Sequence, residues 1–369
     1  MKKTIKTTYQ LPSKTKWILN IGAMIVLIAF IFLANEMFDS YIRRILNLCA
    51  IYTILGLSMN LINGFTGLFS LGQAGFMAIG AYAVAIFTVP IEARGTIFYL
   101  VPMNPAIRTI QLPFVVALLL GGILAAIVAF LIGAPVLRLR GDYLAIATLG
   151  FSEIIRIIFT NTQTITNGAL GIKNIPTIKN LWWTWGIAIL VIGFMVLLIR
   201  SSYGRAFKAI REDEIAAEAM GIGLFKHKVI SFMISAFMAG IGGGLFAALL
   251  GTVDPKQFYF TLTYNFLLII VLGGMGSISG TIISAFIVTA GLEWLRFLDE
   301  PLSIAGISIP IFRPGLRMVV FSLLLMGIVL FYRNGLMGQT ELSWERVIGF
   351  FRNLGKKKED NQVGGDLSE

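Results

Sequence analysis

Residues 45–91 contain no Asp, Glu, Lys or Arg. A helix needs roughly 20 apolar residues to cross the hydrocarbon of a bilayer, so an uncharged run this long exceeds one span. Its middle, "NGFTGLFSLGQAG" (63–75), is rich in glycine. The run therefore reads as two spans with a Gly-rich break. Residues 257–292 repeat the layout, broken at "GGMGSISG" (273–280). Transporters often carry such a repeat, with irregular backbone lining a cavity near the midplane. Glycines that only let helices pack closely give the same pattern.

Composition fixes the class. The chain is 57% hydrophobic and 13% charged, against about 25% charged in soluble domains. The expectation is an all-α, polytopic transmembrane bundle. Spans are read at 17–34, two within 45–91, 113–137, 143–159, 181–199, 229–250, two within 257–292, and 317–332, about ten in all. The lysines before the first span resemble a signal peptide, but "FLANEM" offers no small-x-small cleavage site, so the helix reads as uncleaved. Ten spans put both termini on one side. Lys and Arg number 19 on that side and 10 on the other. The positive-inside rule then makes both termini cytoplasmic, together with residues 200–228. The layout is a tail at 1–16, a membrane domain at 17–340 and a tail at 341–369. The net charge of +11 flanks apolar runs, which fits orientation and anionic lipid better than nucleic acid.

Catalytic chemistry is poorly represented. The lone histidine, His227, and lone cysteine, Cys49, cannot make a zinc site or a Cys/His pair. "LGKKKED" (354–360) lacks the first glycine and the Ser or Thr of a phosphate loop. No cofactor is expected in this chain, and any ATP is used by another subunit. Glu153 and Arg156 share a helix face within a span. Ionisable groups at that depth pair with one another or line a wet path. Both readings stay open.

"REDEIAAEAMGIG" (211–223) is the most charged stretch between two spans. Glu212 or Asp213 suits a helix start, "EIAAEAMG" gives about two turns, and Gly221 stops them. On the cytosolic face such a helix could transmit a push from a soluble partner. An ordinary solvated loop would have the same composition.

This segment resembles the coupling loop of ATP-binding cassette (ABC) importer permeases. Ala216, Ala217 and Gly221 match its spacing, while Ile215 stands where that motif has glutamate and Glu214 lies one position earlier. Further stretches resemble the branched-chain amino acid permease family, most closely its larger permease type: "GLSMNLINGFTGLFSLGQAGFMAIGAYA" (56–83), "RGDYLAIATLGFSEIIRII" (140–158), "TNGALGIKNIP" (166–176), "VLGGMGSISGTIISA" (271–285) and "VLFYRNGLMG" (329–338). The resemblance implies a multi-pass cell-membrane permease, not an enzyme. Its implied partners are a second permease, two ATPases that hydrolyse ATP, and an extracellular binding protein; its substrate is leucine, isoleucine or valine. It also implies that Arg211, Glu212, Glu214, Ala216, Ala217, Glu218 and Gly221 face the ATPase. From the residues themselves, the translocation path should use the neutral groups of the first break, Asn60, Asn63, Thr66, Ser70 and Gln73, with Glu153 and Arg156. Urea, amide and sugar permeases share shorter matches. An ion-coupled secondary transporter would need more acids within its spans.

Overall fold

The computed structural model describes residues 12–139, 141–178, 180–299, 303–304, 307–308, 315–331, 335–338, 340–342 and 345. Lys2, Lys3, Lys6, Arg140 and the "LGKKKED" tail lie outside them. The chain divides into two compact units, Met1–Met37 with Thr340–Glu369, and Phe38–Gln339. The first contains α1 (Ser13–Met37).

Among its described residues, the second unit is built of helices and one pair of two-residue strands, Ser303–Ile304 and Ile307–Ser308. Its long apolar helices are α2 (Ser40–Asn60), α3 (Gln73–Thr88), which bends by 115° into α4 (Ile91–Ile97), and, after the single turn α5 (Pro105–Arg108), α6 (Phe114–Val136). Next come α7 (Asp142–Asn161), the turn α8 (Gln163–Thr166) and α9 (Leu181–Arg200). The polar helices α10 (Ser202–Glu212) and α11 (Glu214–Ala219) follow, and then α12 (Leu224–Leu250), α13 (Phe260–Gly273), α14 (Ile278–Trp294) and α15 (Leu316–Phe331). Each of the ten apolar stretches read from the sequence holds a helix. Among the described residues, six are long and apolar enough to cross a membrane, or seven if the bent pair α3–α4 is one span. α13 is a shorter apolar helix of 14 residues.

α2 is the central helix. It continues through a π-helical turn, Leu61–Thr66, and the stretch Ser40–Thr66 is 83% buried in its most apolar window, against 33% for Phe114–Val136. Those 27 residues span about 40 Å at 1.5 Å per residue. The first break thus comes after a stretch long enough to cross a bilayer, at one end of the bundle. This differs from the expected interruption near the midplane. The two broken runs also fold differently. α13 and α14 pack on each other, with Gly273 and Gly280 so close that a Cβ on either would strike the other's carbonyl oxygen. α2 packs on α14, α12 and α9, whereas α3 leaves it to pack on α12 and α6. There the backbones nearly touch: a Cβ on Gly80 would land on the carbonyl oxygen of Gly240, and one on Gly243 on that of Met77. Such contacts suit membrane helices, where lipid is as apolar as the core and close approach supplies the attraction.

One end of the unit is closed by backbone contacts. Segment 172–178 runs along the end of α12, with Ile172 bridged to Val253 and Ile175 N donating to Gly251 O at 3.1 Å. Arg94 is 2% exposed. Its guanidinium donates to the carbonyl oxygens of Ile86, Val89, Ile107, Arg108 and Ile110. It fastens the bend after α3 to the chain entering α6.

Candidate functional site

α10 and α11 are separate helices. Asp213 is extended, with φ −159° and ψ 116°, and its side chain accepts from Ile215 N at 2.8 Å and Ala216 N at 3.1 Å. It is therefore the N-cap of α11. At the other end Gly221 has φ +81°. Gly221 N donates to Glu218 O at 2.9 Å and Ile222 N to Ala217 O at 3.1 Å. This paired closure needs a left-handed residue, which glycine adopts without strain. The helix expected over "EIAAEAMG" is thus present as Glu214–Ala219, with both ends sealed. Ala217 is buried, and Lys228 Nζ holds Glu214 Oε1 at 2.6 Å, so α11 is tied to α12. The outer face presents Ala216, Glu218 and two unusually exposed apolar residues, Ile215 at 81% and Met220 at 83%.

Arg211 points the other way. Its Nη1 donates to Gly64 O, in the π-turn, at 2.9 Å, while its Nη2 holds Glu212 Oε1 at 2.6 Å. Lys208 Nζ lies 5.8 Å from the centroid of the Phe65 ring. The same turn meets the second break. Asn60 Oδ1 accepts from Gly276 N at 2.8 Å, and Asn60 Nδ2 donates to Ser277 O and Thr281 Oγ1. A Cβ on Gly64 would collide with Asn60 Oδ1, so only glycine fits. The last carbonyls of α13, Leu272 O and Gly273 O, accept from Leu336 N at 2.7 Å and Met337 N at 3.1 Å. The charged segment and both breaks therefore form one hydrogen-bonded junction.

The other proposed path groups bond elsewhere. Gln73 Nε2 donates to Ser235 Oγ at 2.8 Å, and Ser58 Oγ donates to Ser235 O at 2.7 Å while Ser235 Oγ donates to Ser58 O at 2.7 Å. This buried knot joins α2, α3 and α12. Asn63 bonds the backbone of Ser70 in both directions, and Thr66 Oγ1 donates to Leu61 O. Asn60, Asn63, Thr66, Ser70 and Gln73 are all at most 8% exposed. Glu153 and Arg156 do pair, at 2.7 Å. Glu153 Oε1 also accepts from Phe260 N at 3.1 Å, and the Arg156 guanidinium lies 4.3 Å from the Tyr259 ring centroid. They grip the start of α13, where a carboxylate suits the helix dipole, and they stand apart from the junction at Asn60.

α10 was not read from the sequence. Its signal was there: Ala206, Phe207 and Ile210 recur at helical spacing and are buried. His227 sits at the start of α12, its Nδ1 2.8 Å from Gly223 O, with its ring beside Tyr203 and Phe207. Cys49 is a buried free thiol. Among the described residues, no three His, Cys, Asp or Glu side chains group to hold a metal.

The profile of the branched-chain amino acid transport system permease component family matches residues 41–329. The chain belongs to this family. Among its relatives is the high-affinity branched-chain amino acid transport system permease protein LivM of Escherichia coli (strain K12), 38% identical over 69% of this chain and 64% of its own length. The chain thus spans a little under two thirds of that relative. The probable branched-chain amino acid transport permease protein LivH of Methanocaldococcus jannaschii is 29% identical over 40% of this chain and 47% of its own. The ribose import permease protein RbsC of Haemophilus influenzae is 26% identical over 78% and 85%. No solved structure matches the chain. Family membership and the apolar helices make this a multi-pass membrane protein. The family is one of permease components, not enzymes.

Proposed function

We propose that this chain is the larger permease subunit of an ABC importer that moves leucine, isoleucine or valine into the cytoplasm. One of two ATPases docks on α11, a second permease completes the path, and an extracellular binding protein delivers the substrate. Both termini, with tails at 1–16 and 341–369, lie in the cytoplasm, and the chain crosses the cell membrane about ten times. The observation that carries this reading is the rigid, capped α11. It presents Ile215 and Met220 outward and is joined through Arg211 to the first break. Exposed apolar side chains on a short polar helix mark a contact surface. Arg211, Glu212, Glu214, Ala217 and Gly221 shape and position that surface, and Ala216 and Glu218 belong to it. The path runs beside Asn60, Asn63, Thr66, Ser70 and Gln73, whose hydrogen bonds to neighbouring helices and turns in the state described must part for passage. Glu153 and Arg156 hold the start of α13 against it.

The test is reconstitution of the chain with its ATPases, second permease and binding protein in vesicles. Uptake of radiolabelled leucine and valine, and none of urea or ribose, is expected. Ile215→Asp should abolish co-purification of the ATPases while leaving the permease inserted. Urea or ribose uptake without leucine uptake would move the substrate assignment. Normal ATPase co-purification with Ile215→Asp would remove α11 as the dock.

A further inference from the structure

At the end of the bundle away from α11, a cavity of about 80 Å³ opens between α2, α13 and α14. On the scale where one water takes about 10–15 Å³, it holds several waters or one small amphiphile. Tyr52, Asn265, Thr289 and Glu293 line it, together with the apolar side chains of Leu48, Ile269 and Val288. Ile269 and Val288 belong to a buried apolar cluster, so that wall is firm.

One polar group here is buried without a partner. Thr289 is 4% exposed and its Oγ1 has no hydrogen-bond partner. A threonine in a helix ordinarily bonds the carbonyl four residues back, as Thr53 does to Cys49 O at 2.8 Å and Thr88 to Val84 O at 2.6 Å. Tyr52 and Asn265 make no side-chain hydrogen bond among the described residues. Glu293 falls within the apolar stretch Ile278–Asp299. Its cation, Arg296, stands off at 3.9 Å and is itself half exposed. A half-buried acid beside an apolar wall with a loosely held counter-ion is costly unless it serves a ligand, and an orphaned buried hydroxyl costs desolvation. A wider cleft shares Glu293 and is flanked by Tyr41 and Trp294, which gives the cavity an entrance.

We propose that this cavity binds a free, zwitterionic amino acid with an aliphatic side chain. Glu293 takes the ammonium. The hydroxyls of Thr289 and Tyr52 and the amide of Asn265 donate to the carboxylate. Leu48, Ile269 and Val288 receive the side chain. An apolar wall with a few convergent polar groups is the usual make-up of a small-molecule site. The proposal rests on the importer reading and gives it a binding site distinct from the buried groups of the first break.

The experiment uses the complete reconstituted complex and radiolabelled leucine. Glu293→Gln, Thr289→Val and Tyr52→Phe should each raise the half-saturating leucine concentration by about tenfold, the scale of one charge-assisted hydrogen bond. Thr289→Ser, which keeps the hydroxyl, should retain the wild-type leucine dependence. In wild type, 4-methylpentanoate, which lacks the ammonium, should compete poorly. Glu293→Gln should narrow the gap between it and leucine. Unchanged leucine dependence in all three variants, or an equal shift for leucine and 4-methylpentanoate, would overturn the site and leave the importer reading intact. A wild-type complex that carries ribose or urea but no leucine would overturn the substrate assignment on which this site rests.

Discussion

Arg211 reaches inward from the end of α10, and its bond to Gly64 O is a charged donor on a partly buried acceptor. Bonds of that kind contribute about 1.5–3 kcal/mol. Arg211→Gln should therefore loosen the link between α11 and the breaks without removing the dock. The expected outcome is continued ATP hydrolysis with leucine uptake per ATP reduced about tenfold, and partial recovery in Arg211→Lys. Uptake and hydrolysis falling in step would show that Arg211 merely supports the fold. The two ends of α11 should differ in sensitivity. Asp213→Ala removes one cap, worth about 1 kcal/mol. Gly221→Val forces a β-branched residue to φ +81°, at a cost of about 1–3 kcal/mol. ATPase co-purification should weaken in the first and disappear in the second.

At the level of helices, glycines that look alike in the sequence divide sharply. Gly80 in α3 has no room for a Cβ, whereas Gly186 in α9 has nothing within 4 Å of one. Gly80→Leu should lower the thermal midpoint in detergent by far more than Gly186→Leu, since overpacking costs about 1–3 kcal/mol or more. Equal midpoints would mean that the contact among α3, α6 and α12 is not tight in solution. Hydropathy made the helices themselves legible, because a bilayer accepts few other structures. Local signals, an acidic start and a terminal glycine, identified α11. The position of the breaks was not legible. Their glycines mark irregular backbone, but the depth of that backbone depends on the π-turn that extends α2. Gln73 and Asn63 were visible as polar groups in an apolar run, yet their partners, Ser235 and the backbone of Ser70, are set by tertiary packing. Glu293 escaped notice because the uncharged run was ended just before it, while the helix continues to Trp294.

Over the whole molecule, the reading of orientation makes α11 cytoplasmic and segment 160–180 extracellular. Asn167 is a poor reporter of that segment, being 7% exposed with its Nδ2 donating to Gly171 O at 2.7 Å. Leu170 is 42% exposed. In intact cells, Leu170→Cys should react with an impermeant maleimide and be protected by added binding protein, while Ile215→Cys should react only after permeabilisation. Cys49 is 1% exposed and contributes little background. The reverse pattern would invert the topology. The clasp on α13 bears on how such a chain matures as it is made. Leu272 O and Gly273 O receive their hydrogen bonds from Leu336 and Met337, which follow α15. A ribosome works from the N-terminus, so α13 and α14 leave it before the residues that seal their turn exist. Until then two carbonyls at the junction lack these partners, and the chain holds open the place where both breaks meet. A nascent chain halted before residue 335 should remain digestible by protease at Gly274–Ser277, and release of the next few residues should close that window.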